Sequence, residues 1–326
     1  MQALTDDWGR HFEYLRLSVT DACNFKCVYC LPNGFRAAAD AEPPLTADEL
    51  ERLVSAMALL GVWKVRLTGG EPALRPDLVA LVARTASVAG VRRVALSTNG
   101  YCLDRLAGPL AEAGLAQLNV SVDHLDPGGF AEVTGKALLH RVLAGIEQSL
   151  TAGLAVKVNV VRLEGLNDAA VDAFVAWVRD MPVTVRFIEL MQTAGRKDFF
   201  DRHHVGLDAL RARLEGQGWQ KRSRTPGAGP ADEYQHPDYA GGIGLIAPYG
   251  QGFCEGCNRL RVTARGALRL CLFGRGETPL RPLLQGDTPP ESIARYVRHA
   301  LTGKPAGHRL HLDDAGETAH LAAVGG

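Results

Sequence analysis

Six short runs of alternating polar and apolar residues recur between Tyr14 and Leu190, each followed by an amphipathic helical stretch. This serial rhythm constrains the fold most tightly. Strands joined one after another by helices must lie parallel, with right-handed crossovers. The predicted strands are Tyr14–Val19, Val62–Leu67, Val91–Ser97, Ala116–Val122, Leu154–Val161 and Val183–Leu190. Thr46-Ala-Asp-Glu49 reads as a capping box ahead of Leu50, Leu53, Val54 and Met57. Asn167 reads as the N-cap of a helix over Ala169–Arg179. The chain is therefore expected to be α/β, with an incomplete (β/α)6 TIM-like barrel over residues 1–205. A smaller β-containing C-terminal domain is expected over 206–326.

A parallel strand covered by helices is normally apolar on both faces. Here one face is polar again and again: Arg16 and Ser18, Arg66 and Thr68, Ser97 and Asn99, Asn119, Ser121 and Asp123, Lys157 and Asn159, and Arg186. An open sheet with one solvated face would also carry such residues. A cationic lumen built to hold an anionic ligand explains them better, because crossover helices should cover the sheet. The positive charge is local, since 36 basic residues balance 36 acidic ones. That balance argues against a nucleic-acid-coating surface. No apolar run reaches the length of a membrane span, and Met1–Arg10 does not read as a signal peptide. A cytoplasmic location is expected, where thiols stay reduced and clustered cysteines read as metal ligands.

Six of the seven cysteines form two triplets, Cys23, Cys27 and Cys30 (C-x3-C-x2-C) and Cys254, Cys257 and Cys271 (C-x2-C-x13-C). A closed tetrahedral site or a cubane wants four thiolates. Three leave one metal position open. The first triplet follows the first strand, where barrel folds place their active sites. A zinc site completed by His11 is the structural alternative. Cys102, outside both triplets, reads as an ordinary thiol, and no histidine pair has metal-ligand spacing.

The first triplet, with Tyr29 ahead of its last cysteine, resembles the radical S-adenosylmethionine (SAM) enzymes, as does Gly69-Gly-Glu-Pro72 at the end of the second strand. The second triplet, in Phe253-Cys-Glu-Gly-Cys-Asn-Arg-Leu-Arg261 through Phe273, narrows the likeness to the GTP 3′,8-cyclases that begin molybdenum cofactor biosynthesis. Leu15–Asp21, Ser97–Gly100, Asn119–Asp123, Val156–Asn159, Arg186–Met191 and the terminal Gly-Gly agree with it. Gln117 stands where a basic residue is expected, and a bland Ala-Ala-Val precedes the final glycines.

The resemblance implies a lyase with two [4Fe-4S] clusters, one on each triplet. It implies SAM near Tyr29, Gly70, Glu71, Ser121 and Met191. GTP would lie near Arg16, Arg66, Ser97 and Lys157, with Arg259, Leu260 and Arg261 beside the second cluster. A deoxyadenosyl radical would take the hydrogen from C3′ of GTP, and C3′ would attack C8. The product would be 3′,8-cyclo-7,8-dihydro-GTP, consumed by cyclic pyranopterin monophosphate synthase. Gly325 and Gly326 would reach the active site and act with Arg259 and Arg261. The resemblance further implies a flavodoxin or ferredoxin reductant, a homodimer, and no nucleic-acid or membrane partner. A radical SAM peptide maturase and a non-catalytic iron–sulfur sensor are the rival readings.

Beyond Leu190, a helix is expected over Gly206–Gly216, a loop over Arg222–Pro237, a strand over Ile243–Ala247 and a helix near Glu291–Leu301. Ala264-Arg265-Gly266 is predicted to be a three-residue hairpin loop, pairing Thr263 with Ala267, Arg261 with Arg269 and Arg259 with Cys271. That register places Cys271 on the face of both arginines.

Overall fold

The computed structural model describes residues 4–37, 40–225 and 227–325. Gly326 lies outside them. Strands β1 (Tyr14–Thr20), β2 (Lys64–Gly69), β3 (Arg93–Thr98), β4 (Leu115–Ser121), β5 (Ala155–Arg162) and β6 (Thr184–Glu189) pair in sequence order, all parallel. Helices α1 (Ala47–Leu59), α2 (Leu78–Ser87), α3 (Leu103–Glu112), α4 (Pro127–Thr134), α5 (Leu139–Thr151) and α6 (Ala170–Trp177) connect them. Six parallel strands with serial helices make the expected incomplete barrel. Its core is the apolar face of each strand against those helices, with Leu15, Leu17, Val65, Leu67, Leu96, Leu118, Val158 and Phe187 essentially inaccessible.

The rest of the chain extends this sheet at both edges. Strands β7 (Gln220–Lys221), β8 (Asp232–Gln235) and β9 (Gly242–Ile246) prolong it beyond β6, and β10 (Arg259–Val262), β11 (Ala267–Arg269) and β12 (Thr278–Pro279) prolong it beyond β1. The barrel strands fall within two residues of expectation at each end. The segment expected as a loop over 222–237 contains β8, which pairs antiparallel with β9. The later helices run over Asp208–Gly216 and Pro290–Leu301. Among the described residues, no helix is long and apolar enough to cross a membrane.

Local chemistry accounts for three features. At the start of α1, Thr46 Oγ1 accepts from the Glu49 amide (3.2 Å) and Glu49 Oε2 accepts from the Thr46 amide (2.7 Å), a complete capping box. In the β10–β11 hairpin, Arg261 opposes Arg269, the Thr263 amide donates to the Ala267 carbonyl, and Gly266 takes φ +83°. This is the three-residue register, with the glycine in the left-handed region. Asn167 departs from expectation. The residue before α6 is Ala169, with no side-chain cap, and Asn167 is buried. Its amide group donates to the carbonyls of Asp123 and Val161, while its oxygen accepts from the Leu163 amide. Three unpaired backbone groups at the β4 and β5 ends outcompete the helix terminus for this side chain.

Candidate functional site

The first triplet sits on the loop leaving β1, pinned from two sides. The amides of Lys26 and Val28 donate to the carbonyls of Thr134 and Val133 at the end of α4. On the other side the Gly70 and Glu71 amides donate to the carbonyls of Thr20 and Ala22, at 2.8 and 2.7 Å. Both glycines are obligatory here. A Cβ on Gly69 would run into the Thr20 carbonyl and one on Gly70 into that of Ala22. The Gly-Gly-Glu-Pro turn is thus the mate of the cysteine loop, backbone against backbone.

Glu71 lies beneath this contact, fully buried. Its carboxylate accepts from the Ala73 amide, Thr98 Oγ1 and the Asn99 amide at 2.6–2.9 Å. Burial nevertheless pushes its pKa up to about 7. Its oxygens brace the turn, and the side chain does not line the cavity that Gly70 lines. Tyr29 donates to Asp123 Oδ2 (2.9 Å), while Asp123 Oδ1 accepts from the Val161 amide (2.8 Å). Burial raises Asp123 to about 6.

The second triplet enters from β10, whose strand pairs with β1 in register. One cavity is lined by all six triplet cysteines. Arg16, Tyr29, Gly70, Ser97, Ser121, Met191, Arg259 and Arg261 line it too. The structure therefore brings together most of the residues singled out from the sequence. Five of the described ones, Gly325 among them, are not part of its lining. Leu260 is in the hydrophobic core. Arg66 is buried behind the wall, donating to the Tyr14 hydroxyl and the Leu96 carbonyl. Lys157 forms an ion pair with Glu233 of β8. Glu71 is turned inward as described. Gly325 reaches the barrel interior, where its carbonyl accepts from Arg16 Nε (3.0 Å) and Nη2 (2.6 Å). A Cβ there would collide with Thr68. His11 bonds Thr5 at the surface, away from the cysteines.

The sheet register produces a row of like charges. Arg269, Arg261, Arg16 and Arg66 are consecutive partners across β11, β10, β1 and β2. Neighbouring strands are about 4.8 Å apart. At an effective dielectric near 20, two such charges repel by roughly 3 kcal/mol. Glu277 offsets Arg269 at the outer end. Among the described residues, Arg66, Arg186, Arg259 and Arg261 form no ion pair with a carboxylate, and the Nε atoms of the last three have no hydrogen-bond partner. Burial, then repulsion from neighbouring guanidiniums, pulls Arg186 down to about 10 and Arg261 to about 9. They remain cations at neutral pH. The arrangement suits a polyanion.

Sequence reading missed Lys304 and His308. Lys304 is buried beside the second triplet and donates to the Leu270 carbonyl. The His308 amide donates to Cys254 Sγ (3.5 Å). Neither residue has a spacing that marks it, and Arg10 clamps their loop by donating to the carbonyls of Pro305, Ala306 and Cys254.

A partial barrel with three free thiols after its first strand and a glycine turn after its second defines a radical SAM enzyme. The Radical SAM superfamily model matches residues 17–178, and the Molybdenum Cofactor Synthesis C model matches residues 183–310. The chain is 48% identical to the GTP 3′,8-cyclase of Aeromonas hydrophila, covering 100% of this chain and 97% of the relative. It is 49% identical to that of Stenotrophomonas maltophilia and 48% identical to that of Synechococcus elongatus, each over 100% of both chains. Among solved structures, Streptococcus suis SuiB bound to S-adenosylmethionine superposes with a TM-score of 0.63 at 14% identity. It covers 91% of this chain and 73% of that one, a likeness of fold. The chain belongs to the GTP 3′,8-cyclase family. Membership of the superfamily brings SAM and a [4Fe-4S] cluster.

Proposed function

We propose that this chain carries out the first step of molybdenum cofactor biosynthesis by holding GTP between two [4Fe-4S] clusters in a single cavity. The observation that carries the reading is the convergence of both thiol triplets and the uncompensated arginines on that cavity. Cys23, Cys27 and Cys30 would hold the first cluster, whose open iron takes SAM. Bound there, the cluster and SAM supply one-electron, hydrogen-abstracting chemistry. Cys254, Cys257 and Cys271 would hold the second, with Cys257 and Cys271 within electrostatic reach of Arg261.

The work of the chain is orientation. Arg16, Arg186, Arg259 and Arg261 line the space for the triphosphate, and guanidinium forks match phosphate geometry. Tyr29, Gly70, Ser121 and Met191 line the end near the first triplet, where SAM would lie. Gly325 meets Arg16 beside Thr68 and would fix that arginine against the substrate. Lys157, paired with Glu233, would act on the triphosphate only at longer range. A single polypeptide of this kind would work in the cytoplasm with a small reducing protein. It would deliver its cyclic nucleotide to cyclic pyranopterin monophosphate synthase, which consumes it.

The test is deoxyadenosine formation from SAM under reducing conditions. GTP, and not ATP or a peptide, is expected to couple it to the cyclic product. Anaerobic reconstitution should give about eight irons per chain for two cubanes. About four irons with full cyclisation would remove the second cluster from the proposal.

A further inference from the structure

The cation row has a polar neighbour that can itself become an anion. Tyr14 opens β1, lines the cavity, and is 4% exposed. Its register partners are Lys64 on β2 and Arg259 on β10. Its hydroxyl accepts from Arg66 Nε. Lys64, equally buried, holds its ammonium 4.8 Å from the ring centre and donates to the Gly227 carbonyl at 3.0 Å. The charged groups acting on the phenol are Arg16 on its own strand, Lys64 and Arg66 on β2, and Arg186 on β6. Arg259 and Arg261 follow on β10. Further out, Lys157 is paired with Glu233. No carboxylate forms an ion pair with Lys64 or Arg66 among the described residues.

We infer that Tyr14 is the internal counter-ion of the cation row. Its phenolate balances Arg66 and Lys64 before substrate arrives, and it takes up a solvent proton when the triphosphate seats. The O–H bond forms at the phenol oxygen, and no bond to substrate is made or broken. Tyr14 is thus a positioning residue, keeping two buried cations aligned until the polyanion replaces its charge. Burial pushes the phenol up, but Arg66, Arg16 and Lys64 together bring it down to about 7. A bound triphosphate offsets those cations and returns the phenol toward its ordinary value near 10. This inference rests on the triphosphate lying on the row.

Calorimetry of GTP binding to the cluster-loaded enzyme, without SAM or reductant, tests it. The titration is done at pH 8 in buffers of low and high ionisation enthalpy. Uptake of nearly one proton per GTP is expected in the wild type. Burial brings Lys64 down to about 8, so a triphosphate raises its protonation too; in Lys64→Met that source is gone, uptake persists, and adding Tyr14→Phe abolishes it. The terminal phosphate cannot imitate this, since a cation row makes it release a proton. No uptake in the wild type or in Lys64→Met, or equal uptake when Tyr14→Phe is added to Lys64→Met, overturns the inference. Should the double variant fail to fold, Lys64→Met decides alone. Uptake must rise between pH 6 and 8, and a flat profile refutes it. Failure of the underlying reading is separately visible, as GTP affinity unmoved by Arg186→Ala.

Discussion

The two cysteine triplets share one cavity and differ in their electrical surroundings. At the first, burial raises Cys23, Cys27 and Cys30, and carboxylates add to it: Glu71 acts on Cys23 and Asp123 on Cys27. At the second, burial raises Cys254 as well and also acts on Cys257, but there the cations Arg259, Lys304 and Arg261 overcome it and pull the thiol down to about 7. Like cysteine triplets thus have unlike surroundings. Negative charge around the first suits SAM, with its sulfonium and ammonium. Positive charge around the second suits a nucleotide triphosphate. The lesson is that similar cysteine spacing leaves the surroundings open, and the flanking charges set what can bind beside each triplet.

The largest effect should come from removing one thiolate on each side. Cys27→Ala is expected to abolish deoxyadenosine formation while about four irons remain on the other triplet. Cys257→Ala is expected to lose cyclisation yet keep SAM cleavage. Equal losses of SAM cleavage in both variants would erase the distinction between the two ends.

A smaller effect follows at the cationic wall. Arg186→Ala removes one charge-assisted contact, worth about 1.5–3 kcal/mol, or roughly 10- to 150-fold in GTP affinity. SAM affinity should stay within about twofold. If binding assays show the two ligands weakened alike, the charge division is wrong.

The smallest effect concerns pH. Glu71 is raised from 4.5 to about 7 in the folded protein. Between those values the native state binds more protons than the unfolded chain, so this group's contribution to stability falls as pH rises. A shift of that size corresponds to about 3 kcal/mol at most. Urea unfolding of the cluster-free chain should show this decline. Glu71→Gln should lack that part of the slope, at the cost of about 1–3 kcal/mol above pH 7 for an amide left unsatisfied. Parallel pH profiles in the two proteins would remove Glu71 as the cause.

Much of this was legible in the chain because it depends on short-range rules. The barrel strands follow from alternation, the α1 start from its capping box, and the hairpin register from where Gly266 must sit. The row of arginines was legible only as a face. That Arg261, Arg16 and Arg66 stand side by side follows from β10 joining β1, a pairing between segments more than 240 residues apart. Glu71, Lys157 and Asn167 were read from their types, and each was engaged by a partner from another strand end. No local pattern announces Asn99, Glu233 or the Val161 carbonyl.

The sequence by itself determined the strand–helix rhythm, the two cysteine triplets and the polar sign of the inner face. These are properties of spacing and periodicity, which travel with the chain. Only the tertiary structure decided that both triplets open onto one cavity, and that Gly325 reaches Arg16. It alone placed Tyr14 beside Lys64 and Arg66, which form no ion pair with a carboxylate among the described residues. Those outcomes depend on which distant segments share a sheet edge, and burial then fixes how strongly each charge is felt.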